Sequence, residues 1–233
     1  MTRYFMRGTS LQQAELDMMT PPYEKTRGYG IRTSTFRYKK EDVECELCLR
    51  YNRKKPCTLS ECEYLEKRIE AQAVNLGELL FDCLSSNFSG QLKERLHGQF
   101  SRKRIAFFLH QDHWERWSYY HSRYFRKHNR LSAALFLLTA YQDVWHRVVW
   151  KINENGFDFQ NVDLSGIGEE QYSVYQAAKS LATGSTNIML ADLAFPDLVS
   201  DEAFRLIICA LLLARFGDAV LNLEGKPSGG TFP

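Results

Sequence analysis

Residues 131–152, LSAALFLLTAYQDVWHRVVWKI, constrain the fold more than any other stretch of the chain. Leu131, Leu135, Leu138, Gln142, Trp145, Val149 and Ile152 recur at steps of three and four, and Ala134, Tyr141 and Val148 widen the stripe. That period predicts one helix with a broad apolar face. Asp143, His146, Arg147 and Lys151 fall between the stripe residues, which marks a core helix rather than a bilayer span. A second apolar segment, Phe204 to Phe216, needs such a partner. Ser200 is placed to cap it, Asp201 and Glu202 favour its dipole, and Gly217 can end it. Glu169 to Thr183 reads as a further helix closed by Gly184. Between these, Asn153 to Gly156 is a helix stop, and Phe157 and Phe159 should pin the following loop to the core. There is no internal repeat. The expected class is all-α, a helical bundle-like domain with a small N-terminal module.

The N-terminal module is defined by cysteines. Cys45, Cys48, Cys57 and Cys62 have the spacing C-x2-C-x8-C-x4-C. A C-x2-C pair lets two thiolates reach one ion from a tight turn, and four thiolates close a tetrahedral sphere. We expect a structural zinc there, with Arg50, Arg53, Lys54 and Lys55 tempering its negative charge. The alternative is four unrelated buried thiols. Cys62 is expected in or near the first turn of a helix running from Glu63 to Asn87, capped near Ser60 and broken around Asn75-Leu76-Gly77. Cys83 reads as a small core side chain. The expected organisation is an N-terminal helix and extended arm (1–44), the zinc module with its helix (45–88), a helical domain (89–224) and a disordered tail (225–233). The first residues contain no uninterrupted apolar run, so no secretory signal is expected and a cytoplasmic location is.

Charge divides unevenly along the chain. Residues 91–130 carry ten Lys/Arg against three Asp/Glu, whereas residues 151–233 carry five against eleven. A basic middle points to a polyanionic partner. Within it, Trp114, Trp117, Tyr120 or His121, Tyr124 and His128 follow one helical face, with Asp112 as the expected cap. Arg102, Lys103, Arg104, Arg116, Arg123, Arg126, Lys127 and Arg130 are the candidate cations for binding nucleic acid or a nucleoprotein. An aromatic core stripe with a solvated arginine side is the competing reading.

No catalytic signature stands out. There is no phosphate-binding glycine loop, no G-x-S-x-G and no H-E-x-x-H. His110 and His113 share a helix face, but no carboxylate or cysteine completes a metal sphere beside them. Arg116-x4-His121 and Arg123-x4-His128 resemble the Arg/His spacing of the helical RNases known as HEPN proteins. That resemblance implies an arginine and a histidine acting together at a scissile phosphate, usually across a dimer.

From about Cys45 onward the chain resembles uncharacterised proteins carried by bacterial phages and integrative or conjugative elements. The likeness rests on the cysteine block with its Glu/Arg-rich helix (Cys45 to Glu70) and on the run from Ser132 to Gly217, including SAALFLLTAYQDVW, QAAKSLATG and LADLAFPDLVSDEAFRLIICALLLARFG. Genes in that setting often encode inhibitors of host defence, including anti-CRISPR proteins, or regulators of transfer. The resemblance therefore implies a non-enzymatic binding protein, most concretely an inhibitor of a CRISPR effector. A HEPN-like RNase and a DNA-binding regulator are the alternatives.

Overall fold

The computed structural model describes residues 7–8, 10, 12–19, 24–26, 32–34, 38–48, 50–85, 88–101 and 106–224. Arg102, Lys103 and Arg104, most of the expected arm and the tail from 225 lie outside the described residues. The described chain is mostly helical, as its periodicity predicts, and divides into two units, 1–83 and 84–233.

In the larger unit α4 (Gly90–Phe100) starts at Ser89, whose hydroxyl accepts from Leu92 N at 3.3 Å. Then follow α5 (Gln111–Tyr120), which continues as a π-helical turn to Phe125, and α6 (Asn129–Leu138). Next come α7 (Gln142–Val148), α8 (Glu169–Thr183) and α9 (Asp201–Phe216). Every residue of α6 from Ser132 to Leu138 is buried, and its principal neighbours are α8 and α9, which also pack on each other. A helix buried on all sides is the centre of its domain.

The predicted continuous helix over 131–152 is two helices. The break falls at Thr139-Ala140-Tyr141, and Val149–Lys151 tightens into a 3-10 turn. The Thr139 hydroxyl donates to Leu135 O (2.8 Å) and Phe136 O (3.1 Å), competing with the helical ladder. The Thr139 carbonyl instead accepts from Arg116 Nε and Nη2 at 3.0 and 2.9 Å. The apolar stripe survives because α7 stays packed on α6 after the bend.

The expected helix ends hold well elsewhere. Ser200 Oγ accepts from Ala203 N at 3.2 Å, and α8 ends on Gly184 at φ 77°. Asn153 to Gly156 closes a two-residue antiparallel pairing, Ile152 with Phe157. The Phe157 ring then packs on Phe125 at 5.0 Å, and Phe159 packs on Tyr175 at 5.7 Å, so the loop is pinned as its sequence implies. Arg95 reaches from α4 to Leu193 O (2.9 Å), Val199 O (2.6 Å) and Asp201 Oδ1 (2.8 Å), fixing the entry to α9.

The smaller unit is built of short pieces. They are α1 (Gln12–Met19), a hairpin of β1 (Glu24–Thr26) and β2 (Arg32–Ser34), α2 (Leu65–Glu70), and α3 (Leu76–Glu78) running into a π-helical stretch through Leu84. The predicted helix from Glu63 is thus interrupted, at Ala71–Asn75, where Gln72 takes φ 58°. Asn75 restarts it with a reciprocal cap, accepting from Glu78 N at 2.8 Å while its own N–H donates to Glu78 Oε2. Its Val43 and Ala71 form a small core cluster, with Tyr38, Leu47, Cys48, Tyr64 and Ala73 against it. Cys83 is buried, as expected.

Because α6 has no solvent face, truncation there should be costly. Leu135→Ala is expected to lose about 3 kcal/mol in urea unfolding. Leu190→Ala, at a half-exposed site, should lose under about 1 kcal/mol. Equal losses would show that α6 is not the centre.

Candidate functional site

The aromatic segment does two things at once, one on each side of α5. Its inner side carries His113, Trp117, His121 and Phe125, all buried. His113 Nε2 donates to Phe136 O at 2.8 Å, and His113 Nδ1 accepts from Leu109 N at 3.2 Å. Trp117 Nε1 donates to Ser132 O at 3.2 Å. The Trp117 and His121 rings stack with centroids 4.4 Å apart. His121 Nε2 donates to Asp218 Oδ2 (3.3 Å), which leaves Nδ1 to accept from the Ser132 hydroxyl (2.9 Å). This hydrogen bond from His121 holds the Asp218 carboxyl below its ordinary range.

The structure corrects the expected stripe in two respects. The cap of α5 is His110, whose Nδ1 accepts from His113 N at 3.1 Å, and Asp112 sits exposed in the first turn. More importantly, the π-helical turn His121–Phe125 lengthens the local repeat beyond 3.6 residues. Inward positions then follow 113, 117, 121 and 125 at steps of four. Phe125 enters the core in place of Tyr124, which stays half-buried.

On the outer side, Tyr119 is 57% exposed and its ring meets Tyr120 edge-on at 4.9 Å. Arg123 is fully exposed. Its guanidinium lies 5.4 Å from the centre of the Tyr124 ring, and the Tyr124 and Tyr119 side chains raise its pKa through charge and hydrogen bonding. Arg126 and Lys127 follow, also exposed. Tyr120 anchors this group inward through Trp145 at 4.8 Å. Tyr119 was not singled out by the helical pattern because it falls off the predicted stripe. Only the packing of its neighbours reveals it as the outward ring.

Two of the other predicted cations serve the fold. Arg116 is committed to Thr139 O, and Arg130 Nε donates to Leu181 O at 3.2 Å. Arg116 and His121, one of the two HEPN-like pairs, are therefore each taken up by different internal partners. Both nitrogens of His113 are occupied, so it offers no lone pair to a metal.

The four cysteines of the smaller unit line one open pocket with Arg50 and Arg68. Burial pushes the Cys45 thiol up, Arg68 works against that rise, and Cys57, Cys62 and Cys48 add to it. Cys45 and Cys57 are exposed and Cys48 and Cys62 half-exposed, so they are not inert core thiols. Among the described residues no three His, Cys, Asp or Glu side chains are drawn together as a group that holds an ion. No helix among them is long and apolar enough to cross a membrane. No family model, curated protein or solved structure matches the chain.

Burial pushes His113 down to about 3, with His110 and Arg116 adding to the fall and the bond to Phe136 opposing it. The unfolded imidazole binds its proton near pH 6.5. Between these values the unfolded state holds more protons, so stability declines as pH falls, by up to about 1.4 kcal/mol per pH unit. Urea unfolding at pH 7 and 4.5 should show a shallower decline for His113→Gln than for wild type, from a lower starting stability. Equal declines would remove His113 as the source.

Proposed function

We propose that the chain is a non-enzymatic binding protein of a mobile element, acting in the cytoplasm on nucleic acid or a nucleoprotein. Its most concrete form is an inhibitor of a host CRISPR effector. The supporting observation is the outward group at the end of α5, in which exposed Tyr119 meets Arg123 and exposed Arg126 and Lys127 follow in the chain. Cations neutralise phosphates and an open ring stacks on an unpaired base, so the pairing suits single-stranded nucleic acid better than duplex. The inner half of the same helix is bonded to α6, which lets the outer half face a partner without a change of fold. The resemblance to phage and conjugative-element proteins favours the CRISPR-effector version. A zinc-stapled N-terminal module belongs to the proposal as a shape-holding part, with no step of chemistry assigned to it.

Anisotropy titrations with labelled single-stranded RNA, single-stranded DNA and duplex DNA test the binding reading. Affinity should fall with salt at a log–log slope of about −2, the value for three neutralised phosphates on a single strand. Tyr119→Ala and Arg123→Ala should each weaken binding about tenfold, with unfolding midpoints unchanged. Wild-type affinity in the double variant would remove this surface from the interface. In cells, expression should protect a targeted phage from CRISPR interference and the double variant should not. Failure of the wild-type chain to protect or to co-elute with an effector would sink the inhibitor version.

A further inference from the structure

The geometry points to a four-thiolate zinc centre at Cys45, Cys48, Cys57 and Cys62, charge-balanced by Arg68, on which the shape of the smaller unit depends. This inference deepens the shape-holding part of the proposed function and is tested apart from its binding part.

The local backbone presents the sulfurs from two tight turns. Cys48 N donates to Cys45 O at 3.0 Å, and Cys62 N donates to Leu59 O at 3.1 Å. The second turn is fixed just after Cys57, where the Thr58 backbone N–H donates to Glu61 Oε2 at 3.1 Å. Two turns, each carrying a thiol at its end, bring residues seventeen positions apart in sequence to one pocket. The pocket is open to solvent and its wall carries all four sulfurs.

Two further features ask for an occupant. Arg68 lines this pocket, and its Nε is buried with no hydrogen-bond partner, although its Nη2 reaches Ala73 O at 3.4 Å. A buried guanidinium N–H without an acceptor is costly. Neutral thiols are poor acceptors, whereas metal-bound thiolate sulfurs carry charge and accept well. Zinc and four thiolates form a dianion, releasing four protons as it assembles. Arg68 supplies one compensating charge and Arg50, which also pairs with Glu63 at 2.8 Å, supplies another. The second feature is the loose segment that carries the thiols. The described residues from Lys40 to Glu61 form short 3-10 turns, and the buried apolar side chains among them are Val43 and Leu59. A segment with so little burial of its own is one that a metal staple can hold in shape. Four thiols without a carboxylate or imidazole favour zinc, with no position left open for catalysis. Among the described residues the four sulfurs line the pocket without closing into a ligand group, so zinc binding would require them to move inward.

Elemental analysis of the full chain, purified with thiols reduced, should find about one zinc per chain. Chelation should expose four additional thiols to a disulfide reagent and open residues 40–74 to limited proteolysis, and added zinc should restore protection of both. Cobalt in place of zinc should give intense thiolate-to-metal absorption. Arg68→Ala should weaken zinc about tenfold or more. Because Cys48→Ser can fail to fold, the chelation and re-addition series on the wild-type chain carries the test. Three results overturn the inference: no zinc or cobalt uptake by the reduced protein, uptake undiminished in Cys45→Ser with Cys57→Ser, or iron retained in place of zinc.

Discussion

Three side chains of α5 donate to backbone carbonyls along α6, and the larger unit depends on that row. Trp117 reaches Ser132 O, His113 reaches Phe136 O, and Arg116 reaches Thr139 O. Position falls from 117 to 113 along α5 as it rises from 132 to 136 along α6, so the two helices run antiparallel. The end of any helix leaves carbonyls without helical donors, and a buried end must find them elsewhere. Here α6 is buried from Ser132 to Thr139, so water cannot serve Phe136 O or Thr139 O at its end, while Ser132 O, inside the helix, takes Trp117 as an additional donor. The donors come from residues whose rings also fill space, which explains why histidine and tryptophan occupy core positions beside phenylalanine. An apolar replacement of equal volume at 113 would fill the space and still leave Phe136 O short of its buried donor, Thr139 Oγ1 alone remaining.

That arrangement also explains which parts of the fold were legible. Local chemistry at helix ends reads directly from sequence. Ser200, Gly184 and Gly217 act where their types predict, and α8 spans the expected residues. The bend at Thr139 was not legible, because its cause includes an arginine twenty-three positions away. The inward face of α5 was misjudged for a different reason. A fixed period of 3.6 residues selects Tyr124, and no composition signal announces the π-helical turn that selects Phe125. The partner of His121 lies ninety-seven residues on, at Asp218, beyond any local pattern. For the candidate site, the residue types were legible and their sidedness was not.

The uneven charge of the chain takes on another meaning in the folded state. A basic middle and an acidic C-terminal part first suggest an external polyanion. Part of that opposition is met internally, through Arg95 with Asp201, while Asp218 takes a hydrogen bond from His121. Arg116 and Arg130 are likewise spent on carbonyls. Among the described residues of this region Lys93, Arg123, Arg126 and Lys127 remain, and the last three are exposed within the short stretch 123–127 that follows the exposed Tyr119. Such a stretch presents an open ring as well as positive charge.

The two units show opposite solutions to holding a chain together. The larger one buries an entire helix and satisfies its carbonyls with designated donors, so its stability comes from packing. The smaller one has short turns, exposed thiols and a guanidinium whose Nε lacks an acceptor. The larger unit also leaves one buried guanidinium nitrogen, Arg95 Nε, without a partner, so the feature particular to the smaller unit is the set of exposed and half-exposed thiols on one pocket wall. The same contrast separates the outer face of α5 from its inner face: one set of rings is fixed by bonds the fold cannot lose, and the other makes few demands on it. Changes at Tyr119 or Arg123 therefore cost the fold little, while changes at His113 or Trp117 break bonds on which the packing of α5 against α6 rests.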